Sequence, residues 1–377
     1  MKPKFLMTPG PTPVPSFVRA SLSQEIIHHR TSEFQEILGQ VNQGLKTIFC
    51  TANPVLIFSS SGTGTMEAAV SNLFSRGDKV ITISGGKFGQ RWTEIAQAYD
   101  LEVVEMSLEW GKAPSAQELK KLIEQNTGVK GVLTTLCETS TATVYDIEAL
   151  AKVTKDTGVL SIVDAISGLG QDKLLTDQWG LDAVVCGSQK GFMLPPGLGF
   201  LSLSQKAQVA IENSDLPKYY FDLKKALKGQ AKNDTPFTPS VSLIVGLKEA
   251  VKAINSEGIE ARWDKFAKMA EATRQAALAL GLKLFSQKPS ASVTAIYAPA
   301  NIKSGDIVRT LRTEHGLSIA GGQAQVKDKI FRIAHMGGIS QENLIDCFLL
   351  LEKVLQEKGY SFESGASVRR LKEVFYG

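Results

Sequence analysis

The chain has 377 residues, 43% of them hydrophobic and 21% charged, which describes a globular protein too long for one hydrophobic core and predicts two domains. Its net charge of +4 is dispersed, with no Lys/Arg block and no basic–aromatic interleaving, which argues against nucleic acid as a partner. No stretch reaches the roughly 20 apolar residues of a membrane span, and Cys50, Cys137, Cys186 and Cys347 have neither CxxC nor zinc-ligand spacing.

Free thiols in a reducing compartment are therefore expected, with no metal. Proline interrupts the N-terminus before any signal-type apolar run, and the C-terminal "FYG" is no peroxisomal address, so the expected location is cytoplasmic.

The first sixteen residues hold five prolines and predict an extended arm. Phe34, Ile37, Leu38, Val41, Leu45 and Ile48 recur on one helical face and predict a helix over 32–49. Strands then alternate with helices. Strands are expected over 54–58, 78–84, 102–108, 129–136, 159–164 and 183–187. Helices are expected over 65–74, 89–99, 115–126 and 146–158. Ser115 and Glu118 form a capping-box pattern, and Gly158 reads as a C-cap.

This alternation predicts an α/β domain with a mostly parallel, doubly wound sheet. The run 198–204 follows its predecessor too soon for a crossover helix and should pair antiparallel. Beyond 241 the texture changes: a helical stretch over 241–281, short strands near 292–298 and 330–334, and a helix over 340–358. The expected division is a large domain over 17–255 and a smaller α+β domain over 256–377, to which the N-terminal arm 1–16 is assigned.

Ligands in open α/β sheets bind beyond the carboxyl ends of the strands, and three segments fall there. "FSSSGTGTMEAAV" (58–70) runs from a strand through a Ser/Gly/Thr loop into a helix, which can cradle a phosphate. On its own it is equally a polar loop with a good helix cap. It matches neither GxxxxGK[ST] nor GxGxxG. Asp164 closes a strand and could cap a helix or accept a bond from a protonated ring nitrogen. Lys190 lies 26 residues later, one crossover away, and precedes "PPGLGF". Removed from water, its amine can lose its proton and act as a nucleophile. A phosphate cradle, a carboxylate for a ring nitrogen and an amine for an aldehyde together fit pyridoxal 5′-phosphate.

From "MTPGPTPVP" to "FRIAHMG", with "SSGTGTMEA", "GKFGQRW", "ETST", "VDAISG" and "GSQKG" between, the chain resembles the class V aminotransferases of fold-type I pyridoxal-phosphate enzymes, in particular the alanine–glyoxylate and serine–pyruvate group. The resemblance implies a Schiff-base role for Lys190 and a pyridine-nitrogen contact for Asp164. It assigns the phosphate to Ser61, Gly62 and Thr63, helped by Gln189. Thr139 would face the ring hydroxyl, and Phe88 and Ile166 would pack the two ring faces. Arg332 would hold the substrate carboxylate, with the Gly10 backbone nearby. It also implies a homodimer with sites at the interface, where Thr238, or less directly Thr235, reaches the partner's phosphate. Some relatives place a tyrosine just upstream; Lys232, Asn233 and Asp234 stand here instead.

The expected reaction is ping-pong transfer of an amino group from alanine or serine to glyoxylate or pyruvate. Small neutral donors are expected because Arg332 is the one motif-supported carboxylate anchor. One alternative is a cysteine desulfurase or lyase on the same fold, although 315–332 contains no cysteine. Another is a non-catalytic partner-binding subunit that retains the fold. Adjacent His28 and His29 read as polar or interface residues rather than metal ligands, and Cys347 as core.

Overall fold

The computed structural model describes residues 5–377; residues 1–4 of the predicted arm lie outside the described residues. A seven-stranded sheet is built from β1 (Val55–Phe58), β2 (Lys79–Ser84), β3 (Glu102–Ser107), β4 (Val129–Thr135), β5 (Leu160–Asp164), β6 (Ala183–Gly187) and β7 (Gly199–Leu203). Their order across the sheet is β1-β7-β6-β5-β4-β2-β3. Only β7 runs antiparallel to its neighbours, as its short connection from β6 requires. Every residue of β5, β6 and β7 is buried.

Successive residues of these strands enter different cores. Val163, Val184 and Cys186 join one apolar cluster, while Ile162, Ala183 and Val185 join another. The sheet is thus covered on both faces, which explains why its central strands read as continuous apolar runs.

The first predicted helix forms as α1 (Ser32–Phe49), with the Thr31 side chain accepting from the Phe34 amide at 3.3 Å. Other boundaries differ from expectation. The helix expected from 65 begins three residues earlier, as α2 (Gly62–Leu73), because the loop glycines are its first turn. The one expected from 89 begins at Lys87, as α3 (Lys87–Ala98). The helix expected to reach Gly158 ends at Thr154, where Lys155 turns extended. Ser115 caps its helix through the Glu118 amide, whereas the complete reciprocal capping box is at Ser340 and Asn343.

The stretch over 241–281 is two helices, Val241–Glu257 and Ile259–Ala279, broken at Gly258 with φ +84°. Beyond it, β8 (Val293–Tyr297), β9 (Ala320–Gly321) and β10 (Ile330–Ala334) form a small antiparallel sheet in the order β8-β10-β9. Helices Ser304–His315, Gln341–Glu357 and Ala366–Tyr376 pack with it; the first and last are additions to the sequence reading. The proline-rich arm bridges the two sheets, its Met7 carbonyl accepting from the Ala334 amide at the end of β10 at 2.9 Å. Phe5 and Leu6 pair in parallel with Leu317 and Ser318, and Thr12 bonds to the segment after β6. No helix of the described residues is long and apolar enough to cross a membrane.

Candidate active site

Asp164 is the last residue of β5, and Lys190 follows the end of β6 by three residues. The two strands are parallel neighbours, with Asp164 opposite Val185. The adjacency that lets both side chains share a crevice is therefore present. Lys190 is 9% exposed and Asp164 3%. Burial pushes the Asp164 carboxyl up to about 7, opposed by the Ile166 amide, which donates to it at 2.8 Å. Burial likewise pushes the Lys190 ammonium down to about 8, with Asp164 the strongest opposing charge. Each group is thus poised between its charged and neutral forms near neutral pH.

The arm closes over the lysine. The Lys190 ammonium donates to the Pro9 carbonyl. Gly10 has φ +125°, and a Cβ there would overlap the end of the Lys190 side chain. The backbone around the lysine is pinned from two directions. The Thr12 amide and hydroxyl donate to the Gln189 and Lys190 carbonyls at 3.0 Å each. Arg262, buried on the helix after Gly258, donates to the Gly191 carbonyl at 2.9 Å.

At the start of α2, Ser61 is the N-cap residue but its hydroxyl makes no capping bond. Gly62 packs flat on Ile166; a Cβ there would lie 2.5 Å from Ile166 Cδ1. Gly187 faces both the Gln189 side chain and the Gly62 amide, and its own Cβ would stand 3.0 and 3.5 Å from them. Gln189 Oε1 is buried with no partner. A half-turn of that amide presents its NH2 instead. Uncapped helix amides, the Ser61 hydroxyl and an orphaned side-chain amide are a donor set that fits a phosphate. The residues present therefore fit pyridoxal 5′-phosphate at both ends.

Phe88 is the second residue of α3, and Glu138 explains why that helix starts early. Its carboxylate accepts from the Phe88, Gly89 and Ser140 amides at 3.0, 2.9 and 3.1 Å. Glu138 is fully buried, and desolvation pushes its carboxyl up against these bonds. Thr139 donates to the Ser167 hydroxyl at 2.6 Å, and its carbonyl accepts from Arg332 Nη1 at 2.7 Å. Arg332, in the middle of β10, also donates from Nε and Nη2 to the Gly321 carbonyl at 3.1 and 2.8 Å. All these acceptors are neutral. Burial lowers the guanidinium to about 10, with Glu138 the largest opposing charge.

Thr235 and Thr238 belong to the segment whose Ser240 amide donates to the Ser59 hydroxyl at 2.9 Å. They line a shallow cleft with Phe58, Ser59, Tyr220 and Phe237, and Thr238 is exposed. Arg30 pairs with Asp234 and donates to the Thr235 carbonyl at 2.8 Å, which gives one member of the "HHR" run a structural role.

Several residues escaped the sequence reading. Glu138 and Arg91 lie inside quoted motifs, so a local signal existed. Arg262 had none. Nor did Asp172, whose carboxylate accepts from the Ser290 and Ser292 hydroxyls and the Ala291 amide at 2.7–2.8 Å and ties the large sheet's loops to β8.

A family profile described as aminotransferase class-V matches residues 14–339. The chain is 42% identical to a "Soluble hydrogenase 42 kDa subunit" of Anabaena cylindrica, with 98% of each chain covered. It is 34% identical to the L-aspartate–glyoxylate aminotransferase of Paracoccus denitrificans, covering 98% of this chain and 95% of the relative. It is also 34% identical to the serine–glyoxylate aminotransferase of Methylorubrum extorquens, covering 96% and 94%. The crystal structure of ureidoglycine–glyoxylate aminotransferase from Bacillus subtilis superposes with a TM-score of 0.95 at 25% identity, covering 100% of this chain and 99% of that one. Similarity that runs the whole length of the chain, at these identities, shows that it belongs to the class V aminotransferases and is a pyridoxal 5′-phosphate-dependent transaminase of fold type I.

Proposed function

We propose that the protein moves the amino group of a small neutral amino acid, alanine or serine, to glyoxylate or pyruvate by a ping-pong mechanism. The observation that carries this reading is the buried pair Lys190 and Asp164 on neighbouring strand ends, facing an arginine with only neutral partners. Pyridoxal 5′-phosphate, when bound, supplies an electron sink for the pair left on the substrate α-carbon. The chain's own residues do the rest. Asp164 holds a proton at the ring nitrogen through a charge-assisted bond. The Lys190 amine takes the α-proton and returns it, a role suited to an amine that burial has brought to about 8. Arg332 orients the substrate carboxylate with a planar fork.

In the same reading Ser61, Gly62, Thr63 and Gln189 hold the phosphate and Thr139 faces the ring hydroxyl. Phe88 and Ile166 pack the ring faces, and the Gly10 backbone borders the substrate. Thr238, with Thr235 beside it, serves the partner subunit of a cytoplasmic homodimer. The large domain is 17–255 and the small one 256–377.

The fork of Arg332 is the one anchor this reading gives to a substrate carboxylate, which favours donors with neutral side chains. The serine–glyoxylate relative supports this, and the aspartate–glyoxylate relative, at equal identity, sets the competing substrate. A desulfurase reading is disfavoured by the thiols nearest Lys190, because burial pushes Cys137 and Cys186 up and keeps them protonated. The hydrogenase-subunit relative is the specific observation behind an accessory-subunit reading.

Half-reactions with a panel of amino acids, read from the cofactor absorbance of the purified holoprotein, test all of these. Rapid turnover of alanine or serine is expected. Turnover of aspartate or glutamate alone overturns the donor assignment, and no turnover of any amino acid favours the accessory subunit.

A further inference from the structure

Arg91 ends beside the start of α2. Its Nη1 donates to Thr63 Oγ1 at 3.2 Å, and its guanidinium carbon stands 4.9 Å from the centre of the Phe88 ring. These are its hydrogen-bond and ring contacts among the described residues, and no ion pair neutralises it. The side chain is half-buried. A helix N-terminus carries about half a positive charge. The Asp164 carboxyl feels the Arg91 charge but makes no ion pair with it, and a full positive charge held against the helix terminus favours an anion between them. Arg91 is held there: Thr63 fixes the direction of its fork and Phe88 supports its flat face.

We propose that Arg91 is a phosphate-binding residue, whose guanidinium completes the cradle of α2 amides and Ser61 and Thr63 hydroxyls around the cofactor's phosphate. The inference rests on the reading that residues 61–63 take that phosphate. It supplies the cation that the sequence motifs left out of the cradle. It also gives Phe88 a second role, as the surface on which the arginine lies.

The test compares two ligands that differ only in the phosphate. Dissociation constants of pyridoxal 5′-phosphate and of pyridoxal are measured on the apoprotein, by visible absorbance, for wild type, Arg91→Met, Arg91→Lys and Ser61→Ala. Arg91→Met is expected to weaken the phosphorylated ligand roughly 10- to 100-fold, as loss of a charge-assisted bond does. Pyridoxal should change little. Arg91→Lys should fall between, because it keeps the charge and loses the fork.

Equal weakening of both ligands by Arg91→Met shows that the arginine acts through the Phe88 ring, and no weakening of either shows that it does not act at all; both overturn the proposal. Ser61→Ala separates the two layers. If it lowers the preference for the phosphorylated ligand while Arg91→Met does not, only the arginine assignment fails. If neither variant alters that preference, the loop reading itself fails.

Discussion

The lowered Lys190 ammonium makes the most direct prediction. Burial brings it from 10.5 to about 8. At pH 7 roughly one molecule in ten then carries the free amine, against about one in 3,000 for an ordinary lysine. The gain in reactive amine is about 300-fold, before any loss of intrinsic nucleophilicity. Apoprotein is pulsed with formaldehyde and cyanoborohydride between about pH 6 and 11, with a lysine peptide as reference. Mass spectrometry of the peptide containing residue 190 gives the rate. The rate at Lys190 should reach half its maximum near pH 8, while the reference continues to rise past 10. Asp164→Asn should move the Lys190 midpoint lower, since the Asp164 charge raises it. A wild-type midpoint at or above that of the reference peptide refutes the burial argument.

Three other outcomes are expected. The folded Asp164 carboxyl sits near 7 against an ordinary 3.8, so the folded state holds the extra proton between those values. That contribution to stability is complete below 3.8 and is lost as pH rises through 7, a swing of up to about 4 kcal/mol. Apo Asp164→Asn should therefore gain in melting temperature relative to wild type from pH 5 to pH 8; a gap that narrows contradicts the assignment. Gly10→Ala places a methyl on the Lys190 amine at a backbone angle that disfavours it. It should slow covalent capture of pyridoxal 5′-phosphate at least tenfold, about 1.4 kcal/mol, and a normal capture rate sinks the close-approach argument. Glu352 accepts from the Gly365 and Ser367 amides at 2.7 and 3.0 Å while buried. Glu352→Gln leaves one of these donors poorly served, which costs about 1–3 kcal/mol. The melting temperature should drop while transamination per folded molecule is unchanged.

The central strands, their alternation with helices and the antiparallel turn of β7 were all readable, because short-range chemistry decides them. A strand buried on both faces is largely apolar, and the eleven residues between Gly187 and Gly199 are too few for a crossover. Helix starts were less readable. The loop 58–65 looks like a phosphate loop followed by a helix, yet Gly62 already belongs to the helix. The start of α3 was misplaced because its cap, Glu138, comes from another strand's end some fifty residues later. The break at Gly258 was missed because apolar periodicity resumes in the next helix.

The sequence alone determined which chemical groups are available: one lysine after an apolar strand, one aspartate closing another, a glycine-rich turn between strand and helix. These follow from local pattern, since each is tied to the element beside it. Tertiary structure decided how those groups behave. The depressed ammonium and raised carboxyl arise from burial under the Pro9–Thr12 arm and between neighbouring strands. The clamp of Asp172 on residues 290–292 and the bond from Arg332 to Thr139 join segments more than a hundred residues apart. Desolvation and long-range hydrogen bonding depend on what the rest of the chain packs against a residue, and no local window of sequence contains that.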